Sequence, residues 1–250
     1  MTRVIKSHTI SLIRKGTKTL INRLKKAFTM AEVLMVLAVI GVVAAMTLPR
    51  LSDNVDEQAL VAGVRKAYSD LQIAYEAMVT RYGEPDGWLS GFGKDSTKRK
   101  EATELLKNRL KESLDVDLDC EDSASNCMPT SITDAYYLKL KSGTGLAISI
   151  AGDLDFTCSD FQDKYYPCAF GNIYVDVNGP DKGPNQDGYD IFDFVLSANG
   201  VEPEGLSYAS GIYIYDDIPN MNTAWAIKAG NLDYNKCFSD LSWANKRTCN

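Results

Sequence analysis

The chain has 250 residues, 45% of them hydrophobic and 24% charged, enough to build a core and too apolar for disorder. Its net charge of −6 conceals an asymmetry, because residues 1–27 hold only basic charges (Arg3, Lys6, Arg14, Lys15 and others) and no acidic residue. The remainder is therefore more acidic than the total, which argues against a head that binds nucleic acid through phosphate attraction.

In chain order, the basic stretch 1–26 gives way at Phe28 to an apolar run that ends at Leu48, uncharged from Val33 onward. At about 1.5 Å per residue a helix over Phe28–Leu48 is about 31 Å long, close to the ~30 Å hydrocarbon core of a bilayer. Lys25 and Lys26 just before it predict a cytoplasmic N-terminus. A second reading of the same run is a secretory signal, with Val33–Met46 as its apolar part and Val43-Ala44-Ala45 as the small-residue site, releasing a chain from Met46 onward.

After Pro49 the pattern becomes amphipathic. Leu60, Val64, Leu71, Tyr75 and Met78 recur at three- and four-residue spacing. The stripe stops at Gly83-Glu84-Pro85-Asp86-Gly87. This predicts one long helix over 28–82, about 80 Å long, kinked near Pro49 and membrane-spanning to about residue 49. Its second half would pack on a globular head at 83–250.

Within that head, Lys98–Leu114 predicts a helix. Tyr136–Lys141 and Gly145–Ile150 predict a hairpin about the Ser142-Gly143-Thr144 turn. Ile173–Val177, Ile191–Leu196, Ile212–Tyr215 and Ala224–Ala229 are further strand candidates. The expected fold class is α+β, a long N-terminal helix under a small, mainly antiparallel sheet.

Six cysteines, Cys120, Cys127, Cys158, Cys168, Cys237 and Cys249, all lie downstream of the apolar run, as expected for disulfides in an oxidising compartment. Each successive pair brackets a polar, turn-rich stretch, which predicts Cys120–Cys127, Cys158–Cys168 and Cys237–Cys249. A zinc site is the rival reading, but there is no Cys-x-x-Cys and the single histidine is His8. The same lack of histidine downstream removes Ser-His-Asp and Cys-His machinery. No P-loop or GxGxxG signature is present, and the expectation is a protein that is not an enzyme.

The residues Lys25-Lys26-Ala27-Phe28-Thr29-Met30-Ala31-Glu32 resemble the processing site of type IV prepilins and type II secretion pseudopilins. In that family a basic leader ends in a small residue, usually glycine, and the mature chain opens on Phe or Met. A glutamate follows inside an otherwise apolar helix. The resemblance implies cleavage between Ala27 and Phe28 by prepilin peptidase, N-methylation of Phe28, and an assembly role for Thr29, Glu32, Gly41 and Pro49. It makes 1–27 a cleaved leader, 28–82 the pilin helix and 83–250 the exported head. Implied partners are like subunits, prepilin peptidase, and an inner-membrane platform with its assembly ATPase. The place is the bacterial inner membrane, with the head in the periplasm or on an extracellular filament. A carboxylate in an apolar helix costs a few kcal/mol in a bilayer. Pairing Glu32 with the Phe28 amine of a neighbour would offset that cost, whereas a plain signal anchor would need Glu32 to snorkel to the interface.

Residues 174–194 offer a dense set of oxygens on Asp176, Asn178, Asp181, Asn185, Asp187, Asp190 and Asp193. Such a set suits calcium, although the spacing is not that of an EF-hand, and Asp, Asn and Gly also simply make turns. Some pseudopilins hold calcium in a loop of this part of the head. The expected ligands are Asp176, Asn178, Asp181 and Asp187.

Overall fold

A computed structural model of the chain describes residues 29–92, 96–150, 169–197, 200–207, 211–212, 223–243 and 245–249, with backbone alone at 44–55, 96, 206–207 and 211–212. The chain divides into two compact units, Met1–Asp53 and Asn54–Asn250.

Helix α1 runs Met30–Tyr82, and the helical backbone continues through Pro49. It stops where Gly83 takes φ 80° and returns its N–H to Val79 O at 2.9 Å. This is the left-handed glycine end that residues with a Cβ adopt only under strain. A short α2, Pro85–Leu89, follows, then α3, Ser96–Lys111. The guanidinium of Arg109 lies over the rings of Tyr82 (4.4 Å) and Trp88 (4.0 Å), joining the ends of α1, α2 and α3.

Six strands follow: β1 Val116–Glu121, β2 Ala135–Leu140, β3 Gly145–Ile150, β4 Gly171–Asp176, β5 Ile191–Ser197 and β6 Gly200–Pro203. They pair in sequence order, each antiparallel to the next, as a six-stranded meander. A separate two-stranded ladder joins β7 Leu206–Ser207 to β8 Gly211–Ile212.

The sheet is covered on both faces near its middle, which explains why β2 and β3 are buried almost throughout rather than alternating. On one face Leu60, Val64, Leu71 and Met78 of α1 join Leu106 and Leu110 of α3 over Leu138, Ile148, Ile173 and Phe194. Tyr68 stacks on Phe194 at 5.7 Å. On the other face Cys127 and Met128 pack with Ala135, Tyr137 and Ala147. Gly145 is required there, since a Cβ would stand 2.1 Å from Cys127 O. Lys107 is buried on α3 and sends its ammonium to both oxygens of Asp119 on β1 at 3.0 Å.

Three expectations are corrected. Ala224–Ala229 is not a strand but the body of helix α4, Thr223–Ala229. Ala224, Trp225 and Ala226 are consecutive and all buried, which a strand with one buried face does not allow. β1 and β6 lie where no strand was expected. β1 carries the period-two signal at Val116, Leu118 and Cys120, diluted by the acidic residues between them. A one-turn α5, Tyr234–Cys237, and a 3-10 turn, Phe238–Asp240, follow α4. Residues 213–215 of the Ile212–Tyr215 candidate lie outside the described residues.

Candidate functional site

The start of α1 is a reciprocal cap. Glu32 Oε2 accepts the Thr29 N–H at 2.9 Å and the Thr29 hydroxyl at 3.0 Å, and the Glu32 N–H donates to Thr29 Oγ1 at 3.2 Å. This is the Thr-x-x-Glu capping box, which satisfies two orphan donors of the first turn. The spacing is legible in the sequence as Ser/Thr followed three residues later by Glu before an apolar run, a signal the reading above did not use. It gives Glu32 a local role independent of any neighbour.

Past that cap, Met30, Leu34, Met35, Leu37 and Ile40 are all more than half exposed. Gly41 has nothing within 4 Å of where a Cβ would stand, so no contact among the described residues requires glycine there. Among the described residues no helix is long and apolar enough to cross a membrane. Side chains of the apolar end are described only to Val43, and the apolar sequence runs on to Leu48. Ala27 and Phe28 lie outside the described residues, and Pro49 is described by its backbone alone.

The second candidate is the loop between β4 and β5. Asp176, fully buried at the end of β4, accepts the Gly179 N–H on Oδ1 at 3.0 Å. Asp190, equally buried, accepts Asn185 N–H (2.8 Å) and Gln186 N–H (2.6 Å), and Asn178 Nδ2 donates to it at 3.3 Å. Asn178 Nδ2 also donates to Gly183 O at 3.1 Å, which fixes the amide. Three oxygens of this loop are then buried without a donor: Asp176 Oδ2, Asn178 Oδ1 and Asn185 Oδ1. A buried acceptor left unpaired costs about 1–3 kcal/mol, so three in one loop call for a shared explanation. Burial first, then the charge of Asp190, pushes the Asp176 carboxyl up to about 6, against the opposing amide bonds of Gly179 and Asn178.

The expected ligands divide. Asp176 and Asn178 are in this cluster. Asp181 reaches outward to Lys139 at 3.5 Å with its side chain 85% exposed. Asp187 is exposed, its backbone bridging Ile191. Asn185, left out of the expected ligand set, is brought in by a turn that places it at φ 56°, a conformation asparagine tolerates. Among the described residues no group of three or more His, Cys, Asp or Glu is placed to hold a metal. The orphan oxygens belong to one carboxylate and two neutral amides, a weak hard-cation donor set that carbonyls and water would have to complete.

Beside this loop, on β5, Asp193 faces Glu204. Burial pushes both carboxyls above the usual range, and Glu204's charge and hydrogen bond push Asp193 further. Cys120 is bonded to Cys127 and Cys237 to Cys249, while Cys158 and Cys168 lie outside the described residues.

Residues 22–48 match the family model of the prokaryotic N-terminal methylation motif, consistent with a type IV prepilin- or pseudopilin-type protein. The match takes in Ala27, Phe28, Glu32 and Gly41 and stops short of the head. The chain matches no curated protein and no solved structure.

Proposed function

We propose that this chain is a structural subunit that polymerises into a type IV pilus-like filament or a type II secretion pseudopilus. Prepilin peptidase would cut between Ala27 and Phe28 and methylate the new amine. The observation that carries the reading is the exposed apolar face of α1, Met30–Val43, opening on Glu32 within the matched motif. A helix apolar on every side needs lipid or other helices around it. Lipid would hold it before assembly, as a single pass of the inner membrane with the basic leader in the cytoplasm, and like subunits afterward.

Glu32 Oε2 is engaged by Thr29, which leaves Oε1 for the Phe28 amine of a neighbour. Gly41 would allow close helix approach, and Pro49 would loosen the helix for packing. The assembly platform and its ATPase supply the energy, since this chain has no nucleotide-binding signature.

The test is the mature N-terminus, read by mass spectrometry on protein purified from membranes. A chain beginning at N-methylated Phe28 is the expected result. A chain beginning at Met46 would mean a secreted binding domain that never assembles, and would sink the proposal.

A second element of the reading is that the β4–β5 loop binds calcium. It rests on the three orphan oxygens of Asp176, Asn178 and Asn185, with Asp181 and Asp187 as outer candidates. So lightly charged a site is expected to bind with a Kd of roughly 10⁻⁴–10⁻³ M, the range of extracellular modules.

A further inference from the structure

The calcium loop does not close on itself. Its turn at Gln186–Asp190 is held from outside by the C-terminal segment. The Gly188 carbonyl accepts the Tyr234 hydroxyl at 2.5 Å and Asn235 Nδ2 at 2.9 Å. Gly188 belongs to the turn whose Gln186 carbonyl receives the N–H groups of Tyr189, Asp190 and Ile191. That turn orients Asp190, and Asp190 in turn holds the backbone of Asn185 and the amide of Asn178. Two of the three orphan oxygens are thus positioned through a carboxylate whose own turn rests on Tyr234 and Asn235.

Those two residues open α5, and the last residue of α5 is Cys237, bonded to Cys249. The disulfide closes a loop of sequence separation 12, and further bonds tie that loop down. Asp233 Oδ2 accepts the Cys249 N–H at 3.0 Å, and Asn231 Nδ2 donates to Arg247 O at 2.9 Å. The same segment is anchored to α1. Glu57 Oε1 accepts the Leu232 N–H at 2.8 Å, and Lys236 pairs with Glu57. Glu57 is only 13% exposed, so this contact is shielded from solvent better than an ordinary surface pair.

We propose that the Cys237–Cys249 loop is a strap that couples calcium binding in the β4–β5 loop to the state of the disulfide and to the Glu57 turn of α1. A one-turn helix cannot hold its own shape. Without the disulfide and the Glu57 anchor, Tyr234 and Asn235 lose their fixed place against Gly188, and the turn carrying Asp190 loosens. Calcium would then have to order the turn as well as bind, and its affinity falls. Coupling of this kind is reciprocal: bound calcium makes the Cys237–Cys249 bond harder to reduce, while Cys120–Cys127, which starts on β1 and makes no bond to the Gly188 turn among the described residues, is indifferent to it. The inference rests on the calcium reading above.

Calcium chloride titrated calorimetrically into the full chain in detergent tests both readings separately. In the native chain a saturable isotherm is expected. C237S/C249S should weaken the Kd by about fivefold or more, the lower end of typical coupling, and Tyr234→Phe, which removes one bond to Gly188 and leaves the disulfide intact, should weaken it about twofold. C120S/C127S should leave it unchanged. If C237S/C249S does not fold, Tyr234→Phe decides. Equal affinities in the native chain and Tyr234→Phe, with C237S/C249S either equal or unfolded, overturn the strap while leaving the calcium site standing. A flat titration of the native chain overturns the calcium reading, and the strap with it.

Discussion

The two parts of α1 are made from similar residues and treated oppositely. Between Met30 and Val43 the apolar side chains Val33, Leu34, Val36, Leu37, Val39 and Ile40 stand exposed, whereas Leu60, Val64, Leu71 and Met78 further along are buried against the sheet. The difference lies in what separates the apolar residues. In the second part Arg65, Lys66, Asp70 and Glu76 divide them into one stripe, and one sheet face is enough to cover it. In the first part there is only Glu32, at the capped end, so no single surface could cover the helix. One part is built into the core of the head, and the other stands exposed along its length.

The largest test of that contrast is Glu32→Ala. We expect assembled subunits to fall to background, measured as sheared or crosslinked multimers, while the amount of membrane-held protein and the melting of the head stay as they were. Normal assembly of Glu32→Ala would reduce Glu32 to a helix cap, worth typically about 1 kcal/mol.

The next test sets equivalent substitutions in the two parts side by side. Leu71 is 1% exposed, and Leu71→Ala should cost roughly 2–5 kcal/mol of head stability through lost burial and a residual cavity. Leu37 is 59% exposed, and Leu37→Ala should leave the denaturant midpoint of the head unmoved. Equal losses from both would mean that the first part is packed on the chain's own head, and the contrast would collapse.

These expectations show what was legible in the sequence and what was not. The change from apolar all round to a single stripe is a matter of composition at fixed helical spacing, so α1 and the Gly83 stop could be foreseen. Strands β2 to β5 were legible because their apolar runs are dense. β1 was hidden because Asp117 and Asp119 interrupt it, and Asp119 is tolerated there only because Lys107 arrives from α3, a contact no local pattern announces. α4 was misread because Thr223-Ala-Trp-Ala-Ile alternates in size although all its first residues are buried. In the loop, the oxygens were visible but their selection was not. Whether Asn185 or Asp187 turns inward depends on Asp190, which holds the Asn185 N–H from the far end of the loop.

A smaller effect is expected from calcium removal. With calcium at about ten times the Kd, binding contributes about 1.4 kcal/mol, so chelation should lower the melting temperature of the head by about 3–6 °C. The apolar part of α1, which has no share in the loop, should show no change in its protection from proteolysis. An identical melting temperature with and without chelator would remove calcium from the reading.

The smallest effect lies in a slope. Asp193 on β5 sits against Glu204, with Tyr174 and Asp187 as its other titratable neighbours, and its N–H donates to Thr223 Oγ1 at 3.0 Å. Burial, then the Glu204 charge, holds the Asp193 carboxyl well above the usual carboxylate range. The folded chain therefore keeps a proton that the unfolded chain has released above about pH 4. The stability this proton contributes is fully present below that pH and drains away as pH rises through the raised folded value. Native protein should lose urea resistance steadily from pH 5 to pH 9. In Asp193→Asn the carboxamide stays neutral and can still donate to Glu204, so the decline should be visibly shallower, with the variant gaining on the native chain most at pH 9. Parallel curves would mean that burial against Glu204 does not hold a proton on Asp193.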